Sequence, residues 1–165
     1  MKKLFLICAA LLLTAGCAEE KKMHVDASFA DTSWVGLGLS ELVLRADGTF
    51  SWYQNEGKPE GDRYEGVYEA YRAEDAVKYV TGIETYKITE AQLEAMFDGE
   101  DEHTKENFIV YMLKDEHVWY EGKEAPEMCD ELIYYGYLTE NDTLLNSVNM
   151  RTGSLCTFEK KKNGE

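Results

Sequence analysis

Thiols are the most reactive side chains of this 165-residue chain, and it has four of them. Cys8 and Cys17 lie near the amino terminus, whereas Cys129 and Cys156 lie in the last third. In a secreted protein the latter two could form a disulfide. In the expected strand register, however, Cys156 lies level with about Tyr134, two strands and roughly 10 Å away. Cys129 must then fold back through its loop to come within the limit of about 7 Å between the two Cα atoms. A disulfide and a pair of free thiols therefore both remain open.

The other chemically capable side chains form no recognisable catalytic or metal-binding pattern. His24, His103 and His117 are scattered, and no His-x-His or Cys-x-x-Cys spacing accompanies them. The acidic run 98–106 lacks the alternating ligands and central glycine of a calcium loop. No nucleophile elbow or phosphate loop occurs, and carboxylates are too numerous to single out an acid and a base. The sequence predicts no metal, no cofactor and no enzyme activity, with a carboxylate-dependent hydrolase as a remote alternative.

The overall charge excludes one class of partner. Seventeen basic residues face 32 acidic ones, for a net charge of -15. A polyanion of this kind repels nucleic acid phosphates, so we expect no nucleic acid partner. The fractions of hydrophobic residues (44%) and of charged residues (30%) are typical of one ordinary globular domain.

The first 16 residues have the composition of a secretory signal. Lys2 and Lys3 precede an unbroken apolar run over residues 4–13, and small residues follow. That run is too short to span a bilayer as a permanent helix. We therefore expect residues 1–16 to be removed as a signal peptide.

Residues 13–17, Leu-Thr-Ala-Gly-Cys, resemble the lipobox of bacterial lipoproteins. The resemblance implies that the Cys17 thiol receives a diacylglycerol and that cleavage leaves Cys17 as the first residue. Two or three acyl chains would hold the protein on a membrane, where a single chain would not. Ala18 permits an outer-membrane destination in a Gram-negative cell, and a Gram-positive cell would keep the protein on the outer face of its plasma membrane.

The segment after Cys17 reads as a spacer. Loss of Lys2 and Lys3 leaves 15 basic residues against 32 acidic ones, a net charge of -17. Such a domain is repelled by anionic lipid, so the anchor must hold it at the membrane. Residues 17–30 show no hydrophobic period, which predicts a tether between the lipidated cysteine and the domain.

Short alternating apolar runs, separated by turn residues, predict eight antiparallel strands. The first hairpin turns through Asp47-Gly48, the favoured chemistry for a tight turn. The run 107–114 is apolar on both faces, so we expect it to be covered on both faces. The eight predicted strands are residues 40–45, 49–54, 63–72, 107–114, 117–121, 132–138, 143–150 and 154–160.

A helical period interrupts the strands after the third. Residues 73–80 are predicted as one helix, with Gly82 just beyond its end. A second helix is predicted to begin at Thr89, because Thr89 and Gln92 fit a capping box and the flanking Ile88 can pack on Leu93. Both helices are expected to cover the outer face of the strand at 107–114.

These elements predict a mainly β fold. Eight short strands in one open sheet would expose two edges, and closure of the sheet into a barrel removes them. We therefore predict an eight-stranded antiparallel meander that closes into a barrel, with a two-helix insertion between strands 3 and 4. The barrel domain is expected over residues 31–160, followed by a disordered tail at 161–165.

Several short motifs follow one another in a fixed order along residues 31–160. They are Asp31-Thr32-Ser33-Trp34, the Asp-Gly-Thr-Phe hairpin at 47–50, Tyr-Glu-Gly-Val-Tyr at 64–68, Tyr-Tyr-Gly-Tyr at 134–137, residues 148–153 and the closing Thr157-Phe158. These motifs resemble those of uncharacterised small bacterial membrane lipoproteins with a lipocalin-like (calycin-type) barrel, and the resemblance implies the same barrel fold. Ligand transport of the lipocalin kind would be an analogy only, since a fold does not determine a function.

The sequence is rich in aromatic residues, with 11 Tyr, 6 Phe and 3 Trp. A barrel mouth lined by rings with a few polar tips has the chemistry of a small-molecule pocket. The alternative is that the rings fill a solid core, as in most small barrels. The candidate pocket residues are Trp52, Tyr64, Tyr68, Trp119, Tyr134 and Asn146.

The leading hypothesis is a non-enzymatic, lipid-anchored lipoprotein of the cell envelope. It is expected to bind a small apolar molecule or an envelope component in or at the mouth of the barrel. An alternative is an interaction module that docks an envelope protein through exposed tyrosines and an acidic surface.

Overall fold

The computed structural model describes residues 23–36, 38–97 and 100–162. The predicted signal peptide and Cys17 therefore lie outside the described residues, as does most of the predicted tail. Within the described residues there are two α-helices, α1 (Ala73–Thr81) and α2 (Glu90–Glu94), and short 3-10 turns at Glu100–Glu102, Lys105–Asn107 and Pro126–Met128. The strands are β1 (Thr32–Gly36), β2 (Glu41–Leu44), β3 (Thr49–Tyr53), β4 (Arg63–Arg72), β5 (Phe108–Tyr120), β6 (Lys123–Glu124), β7 (Glu131–Thr139), β8 (Leu144–Asn149) and β9 (Leu155–Lys160).

Eight of these strands close into an antiparallel barrel. Each barrel strand pairs with the next, in the order β1, β2, β3, β4, β5, β7, β8, β9, and β9 pairs with β1 to complete the ring. The two-residue β6 only extends a hairpin from β5. The helices lie between β4 and β5, which are the third and fourth strands of the prediction. The predicted fold class is confirmed.

Apart from the additional two-residue β6, the individual strands differ from the prediction at two places. β1 was not predicted as a strand, because its sequence Thr-Ser-Trp-Val-Gly has too few apolar residues to show a period of two. Residues 107–114 and 117–121 form one strand, β5, rather than two. Pairing with β4 continues through a bulge at which Glu65 lies opposite His117 and Gly66 opposite Asp115, so Glu116 is an extra residue.

The inside of the barrel is the larger of two cores. Trp34 on β1, Tyr68 on β4 and Tyr111 on β5 are completely or almost completely buried there. Phe50 and Trp52 share this inward face, as the period of two predicted. The other inward residues that anchor the core are Leu42, Leu44, Ala70, Ile109, Leu113, Tyr134, Leu138, Leu145 and Phe158.

The second core lies between the helices and the outer face of the barrel. Ala76, Val77 and Val80 of α1 pack with Leu93 of α2 against outward residues of β5 and β7. Strand β5 is therefore covered on both faces, as its sequence predicted. The capping box of α2 is present, since Gln92 N donates to Thr89 Oγ1 and Thr89 N donates to Gln92 Oε1. Neither described helix is long and apolar enough to cross a membrane.

One end of the barrel, which we call the basal end, is covered by the segment that precedes β1. His24 O accepts from Ala70 N at 2.8 Å, and Asp26 N donates to Ala70 O at 3.0 Å. Phe29 is fully buried, with its ring 6.2 Å from Trp34 and 6.1 Å from Tyr111. Residues 23–30, predicted as part of the tether, thus lie against the barrel. A single inserted ring shows no period in sequence, which is why the prediction placed the boundary too late.

The opposite end carries the β1–β2, β3–β4, β5–β7 and β8–β9 connections, and we call it the open end.

The carboxyl-terminal strand is fixed along the barrel wall. Lys161 N donates to Ser33 O at 2.8 Å, and Lys161 Nζ pairs with Glu41 and Glu56. Lys161, the first residue of the predicted tail, is therefore held against the barrel.

Candidate functional site

A cavity of about 330 Å³ lies at the open end of the barrel. This volume is near the lower limit of small-molecule sites in proteins, which are mostly apolar with a few polar groups. The wall has the same character, with aromatic and aliphatic side chains beside two carboxylates. Its residues are Trp52, Gln54, Tyr64, Leu113, Asp115, Met128, Asp130, Leu132 and Tyr134.

The strand register brings the apolar wall together. Trp52 on β3 lies directly opposite Tyr64 on β4, and Leu113 on β5 lies directly opposite Leu132 on β7. Residues directly opposite each other share one face of a sheet, which here is the inner face. Tyr134 lies two residues beyond Leu132 and so points the same way. Four strands therefore contribute to one concave wall.

Trp52 is the centre of the aromatic part of the wall. Its ring lies 6.3 Å from Tyr64, 6.4 Å from Tyr134 and 5.9 Å from Phe158, the last two edge-on. Tyr134 in turn stacks on Tyr111 at 4.9 Å, which fixes its ring in place. Among the described residues, the buried Nε1 of Trp52 has no hydrogen-bond partner. An unsatisfied buried donor costs about 1–3 kcal/mol of stability.

Asp115 and Asp130 form the polar part of the wall. The backbones of the two residues are hydrogen-bonded, with Asp115 N donating to Asp130 O at 2.9 Å, and Asp130 N donates to Asp115 Oδ2 at 3.3 Å. Arg151 binds both carboxylate oxygens of Asp130. No cation among the described residues pairs with Asp115. In the same part of the chain no three His, Cys, Asp or Glu residues are placed to hold a metal ion.

The two carboxyl groups titrate differently. Burial raises the pKa of Asp115 to about 6, and the charge of Asp130 adds to the shift. The hydrogen bonds from Arg151 instead hold the pKa of Asp130 below its usual value. Burial also raises the pKa of Tyr134 to about 12, so this phenol stays neutral near pH 7. At neutral pH the cavity wall therefore carries an ionised, half-buried carboxylate without a counter-ion.

The structure brings together three of the six residues predicted for the pocket, namely Trp52, Tyr64 and Tyr134. Tyr68 is fully buried deeper in the barrel, and its hydroxyl donates to Arg45 O at 2.9 Å near the basal end. It is part of the core and does not line the cavity.

Trp119 and Asn146 lie on the outer face of the barrel. The bulge at Glu116 reverses the alternation of β5, so Val118 is buried and Trp119 points outward under the Arg63 guanidinium at 3.8 Å. Asn146 alternates with buried neighbours on β8 and accepts from Thr157 Oγ1 at 3.0 Å. Sequence alternation alone could not reveal the reversal, because a bulge is set by the partner strand.

Sequence reasoning also missed the carboxylate that distinguishes the cavity. Asp115 continues the inward series of Ile109, Tyr111 and Leu113 on β5. A charge on the apolar face of a strand is a usable signal in itself. The signal was overlooked because the predicted strand ended at residue 114. Met128 and Asp130 come from the β5–β7 connection, and their placement depends on the fold of that loop.

Cys129 and Cys156 are both free in the structure. Cys156 lies on β9 beside the core, directly opposite Ser147, and burial raises its thiol pKa. Cys129 lies in the β5–β7 connection, where burial and nearby carboxylates raise its thiol pKa. Neither thiol is therefore activated as a nucleophile.

We expect Asp115→Asn to stabilise the protein near neutral pH. The pKa of Asp115 is about 6 in the folded protein, against about 3.9 in an unfolded chain, so ionisation favours unfolding as the pH rises through 4 to 6. After allowance for solvent screening, the gain in unfolding free energy should be on the order of 1 kcal/mol above pH 7. It should vanish below pH 4, where the carboxyl is protonated in both states.

Urea unfolding at pH 4 and pH 7.5 measures this difference. Asp75→Asn is the matched control, because Asp75 is exposed on α1 and pairs only loosely with Lys78 at 3.6 Å. An Asp115→Asn gain of the same size at both pH values would contradict the assignment.

Comparison of the chain with known proteins found no match. No protein-family model matches the chain, and no curated protein and no solved structure matches it.

Proposed function

We propose that this protein is a lipid-anchored lipoprotein of the cell envelope that binds a small, largely apolar molecule without transforming it. The observation that carries the proposal is the cavity of about 330 Å³ at the open end of the barrel. Below the open end the interior of the barrel is filled with side chains, and Phe29 fills its basal end. A small barrel that is packed solid below its open end has reason to keep a concave, largely apolar wall there if something binds to it.

The path of the chain supports binding from the surroundings rather than from the bilayer. The chain reaches the barrel at Met23, beside Gly48 at the basal end. Five residues lie between Cys17 and Met23, and the six Cα–Cα steps correspond to at most about 22 Å of chain. A lipid anchor at Cys17 would hold the basal end toward the membrane, so the cavity at the opposite end would face away from it.

The arrangement of the carboxylates favours binding over hydrolysis. A carboxylate-dependent hydrolase needs one protonated acid and one free base or nucleophile near the reacting bond. Both oxygens of Asp130 are already engaged by Arg151, and Oδ1 also accepts from Glu131 N at 2.8 Å. The pair therefore lacks a free second carboxylate.

Exposed apolar residues around the open end favour a second candidate function, the docking of an envelope protein. Leu39, Met128 and Leu155 are 65%, 39% and 72% exposed, and each lies on or beside a connection of this end. A partner that covers this rim would bury them together with the mouth of the cavity.

Native mass spectrometry tests the proposal on the mature chain from residue 17 with Cys17→Ser, which contains every described strand and both cores. We expect an excess mass under native conditions that disappears on denaturation, or, for an empty protein, saturable binding of the neutral apolar dye N-phenyl-1-naphthylamine. Trp52→Leu should lower dye affinity at least about tenfold, because it removes the central ring of the wall.

Trp119→Leu is the control, since it makes the same change on the outer face of the barrel. Equal native and denatured masses together with no saturable dye binding would contradict a ligand cavity. That result would leave the docking surface as the better candidate.

A further inference from the structure

We propose that the ligand of the open-end cavity is cationic, an amine or quaternary ammonium group on an apolar body. This inference rests on the proposed function and specifies its ligand class. It follows from the coincidence of two features in one cavity, an aromatic wall and an ionisable side chain without a counter-ion.

The aromatic wall is suited to a cation. Trp52, Tyr64 and Tyr134 present ring systems whose faces are electronegative, and a cation within about 6 Å of such a ring is attracted to it. Trp52 lies 6.3 and 6.4 Å from the two tyrosines, so one bound group can touch more than one ring. Quaternary ammonium groups are bound in proteins by aromatic clusters of this kind.

Asp115 supplies the complementary charge. Lysine, arginine and histidine are absent from the described wall, and the guanidinium of Arg151 is bound to Asp130. The titratable groups that influence or adjoin Asp115 are Tyr64 on β4, Tyr134 on β7, and Cys129 and Asp130 in the connection before β7. None of these groups is cationic. A bound ammonium would therefore be the only counter-ion of Asp115.

Anionic and neutral ligands suit the cavity less well than a cation does. An anion would meet Asp115 in a protein whose net charge is -15. A neutral apolar molecule would displace water from the carboxylate without replacing its interactions, which is unfavourable for an ion. A cation gains from both the rings and the carboxylate.

The proposal predicts a pH dependence with a definite sign. The pKa of Asp115 is about 6 in the free protein, and a bound cation must lower it, so the ionised form binds more tightly. At pH 5 only about one molecule in ten has the carboxylate ionised, and affinity should fall about tenfold relative to pH 7.5. A neutral ligand should not show this fall.

Titration calorimetry on the mature Cys17→Ser chain, at pH 5 and pH 7.5, tests the charge preference with two probes of one shape. The probes are benzyltrimethylammonium and neopentylbenzene, which has carbon in place of the nitrogen. At pH 7.5 we expect the cation to bind at least about tenfold more tightly than its isostere. The difference should be largely lost at pH 5 and in Asp115→Asn, and kept in the exposed control Asp75→Asn.

The outcomes separate this inference from the proposed function. Equal or tighter binding of neopentylbenzene at pH 7.5 would overturn the cationic class and leave a ligand cavity intact. A cation preference that Asp115→Asn and low pH leave unchanged would overturn the role of Asp115, and with it this inference. Failure of both probes and of N-phenyl-1-naphthylamine to bind would overturn the ligand cavity itself.

Discussion

Gly136→Ala is expected to lower the free energy of unfolding by at least about 3 kcal/mol. Gly136 lies inside the barrel on β7, between Ile109 on β5 and Ser147 on β8. A Cβ atom at this position would be 2.0 Å from Asn146 O and 2.7 Å from Ser147 Cα. Both are backbone atoms, so the strands must move apart to admit a methyl group. Overpacking that shifts side chains and backbone costs about 1–3 kcal/mol and occasionally more, and the overlap with backbone atoms of the neighbouring strand places Gly136→Ala at or above the upper end of that range.

Denaturant unfolding of the chain from residue 17 with Cys17→Ser, and of its Gly136→Ala variant, measures the loss. Gly38→Ala is the matched control, since a Cβ at Gly38 would have no neighbour within 4 Å, and we expect a change within about 0.5 kcal/mol. A loss below about 1 kcal/mol for Gly136→Ala would show that β7 and β8 are less closely packed than the structure has them.

Gly136 also shows how the sheet curves enough to close. Gly66 has the same property, because a Cβ there would lie 2.0 Å from Lys114 O, next to the bulge in β5. Glycines and bulges allow strands to approach and bend at the corners of a barrel. The sequence places both glycines within predicted strands, but it does not show that each is needed by the strand beside it.

Features set by neighbouring residues were predictable from sequence. The Asp47-Gly48 turn, the capping box at Thr89 and the two apolar faces of β5 all depend on residues close in the chain, and the structure contains each of them. Features set by distant residues were not predictable. The bulge at Glu116 depends on the pairing of β4 with β5, and it alone decided that Trp119 would point outward.

The residues of the candidate site also fall into those that sequence could predict and those that it could not. Trp52 and Tyr64 belong to strands with regular alternation, so their inward position followed from the sequence. Asp115 continues the inward alternation of β5 one residue beyond the predicted end of that strand, so its position was also open to prediction. Met128 and Asp130 lie in a connection, where periodicity carries no information, and sequence analysis could not place them.

The cavity is also where the protein departs from a stable packing. Trp52 Nε1 is a buried donor that has no partner among the described residues, and Asp115 is a partly buried carboxylate without a cation. Each costs stability, and a stable barrel needs neither. Local departures from good packing are expected at functional sites. Two departures on one concave wall support the view that this wall binds something.

The anchor can be tested separately from the cavity. When the full chain is expressed in a bacterium, we expect Cys17→Ser to abolish incorporation of labelled palmitate, by at least about tenfold, and to release the protein from membranes washed in alkaline carbonate. Each buried methylene of an acyl chain contributes about 0.8 kcal/mol, so two or three chains on Cys17 would hold the unsubstituted protein through such a wash. Without them, the apolar run at residues 4–13 is too short to act as a permanent span.

Cys129→Ser makes the same atomic change at a thiol that the structure places in the β5–β7 connection, so it should keep both the label and the membrane association. Equal labelling of the Cys17→Ser and unsubstituted chains would contradict lipidation at Cys17. If the unsubstituted chain is itself unlabelled and soluble, the lipobox resemblance is misleading. The orientation of the cavity away from a membrane would then lose its basis, while the charge and shape of the cavity would still predict a cationic ligand. In the proposal, a lipid anchor at Cys17 would determine where the ligand is met, and Asp115 with the aromatic wall would determine which ligand is bound.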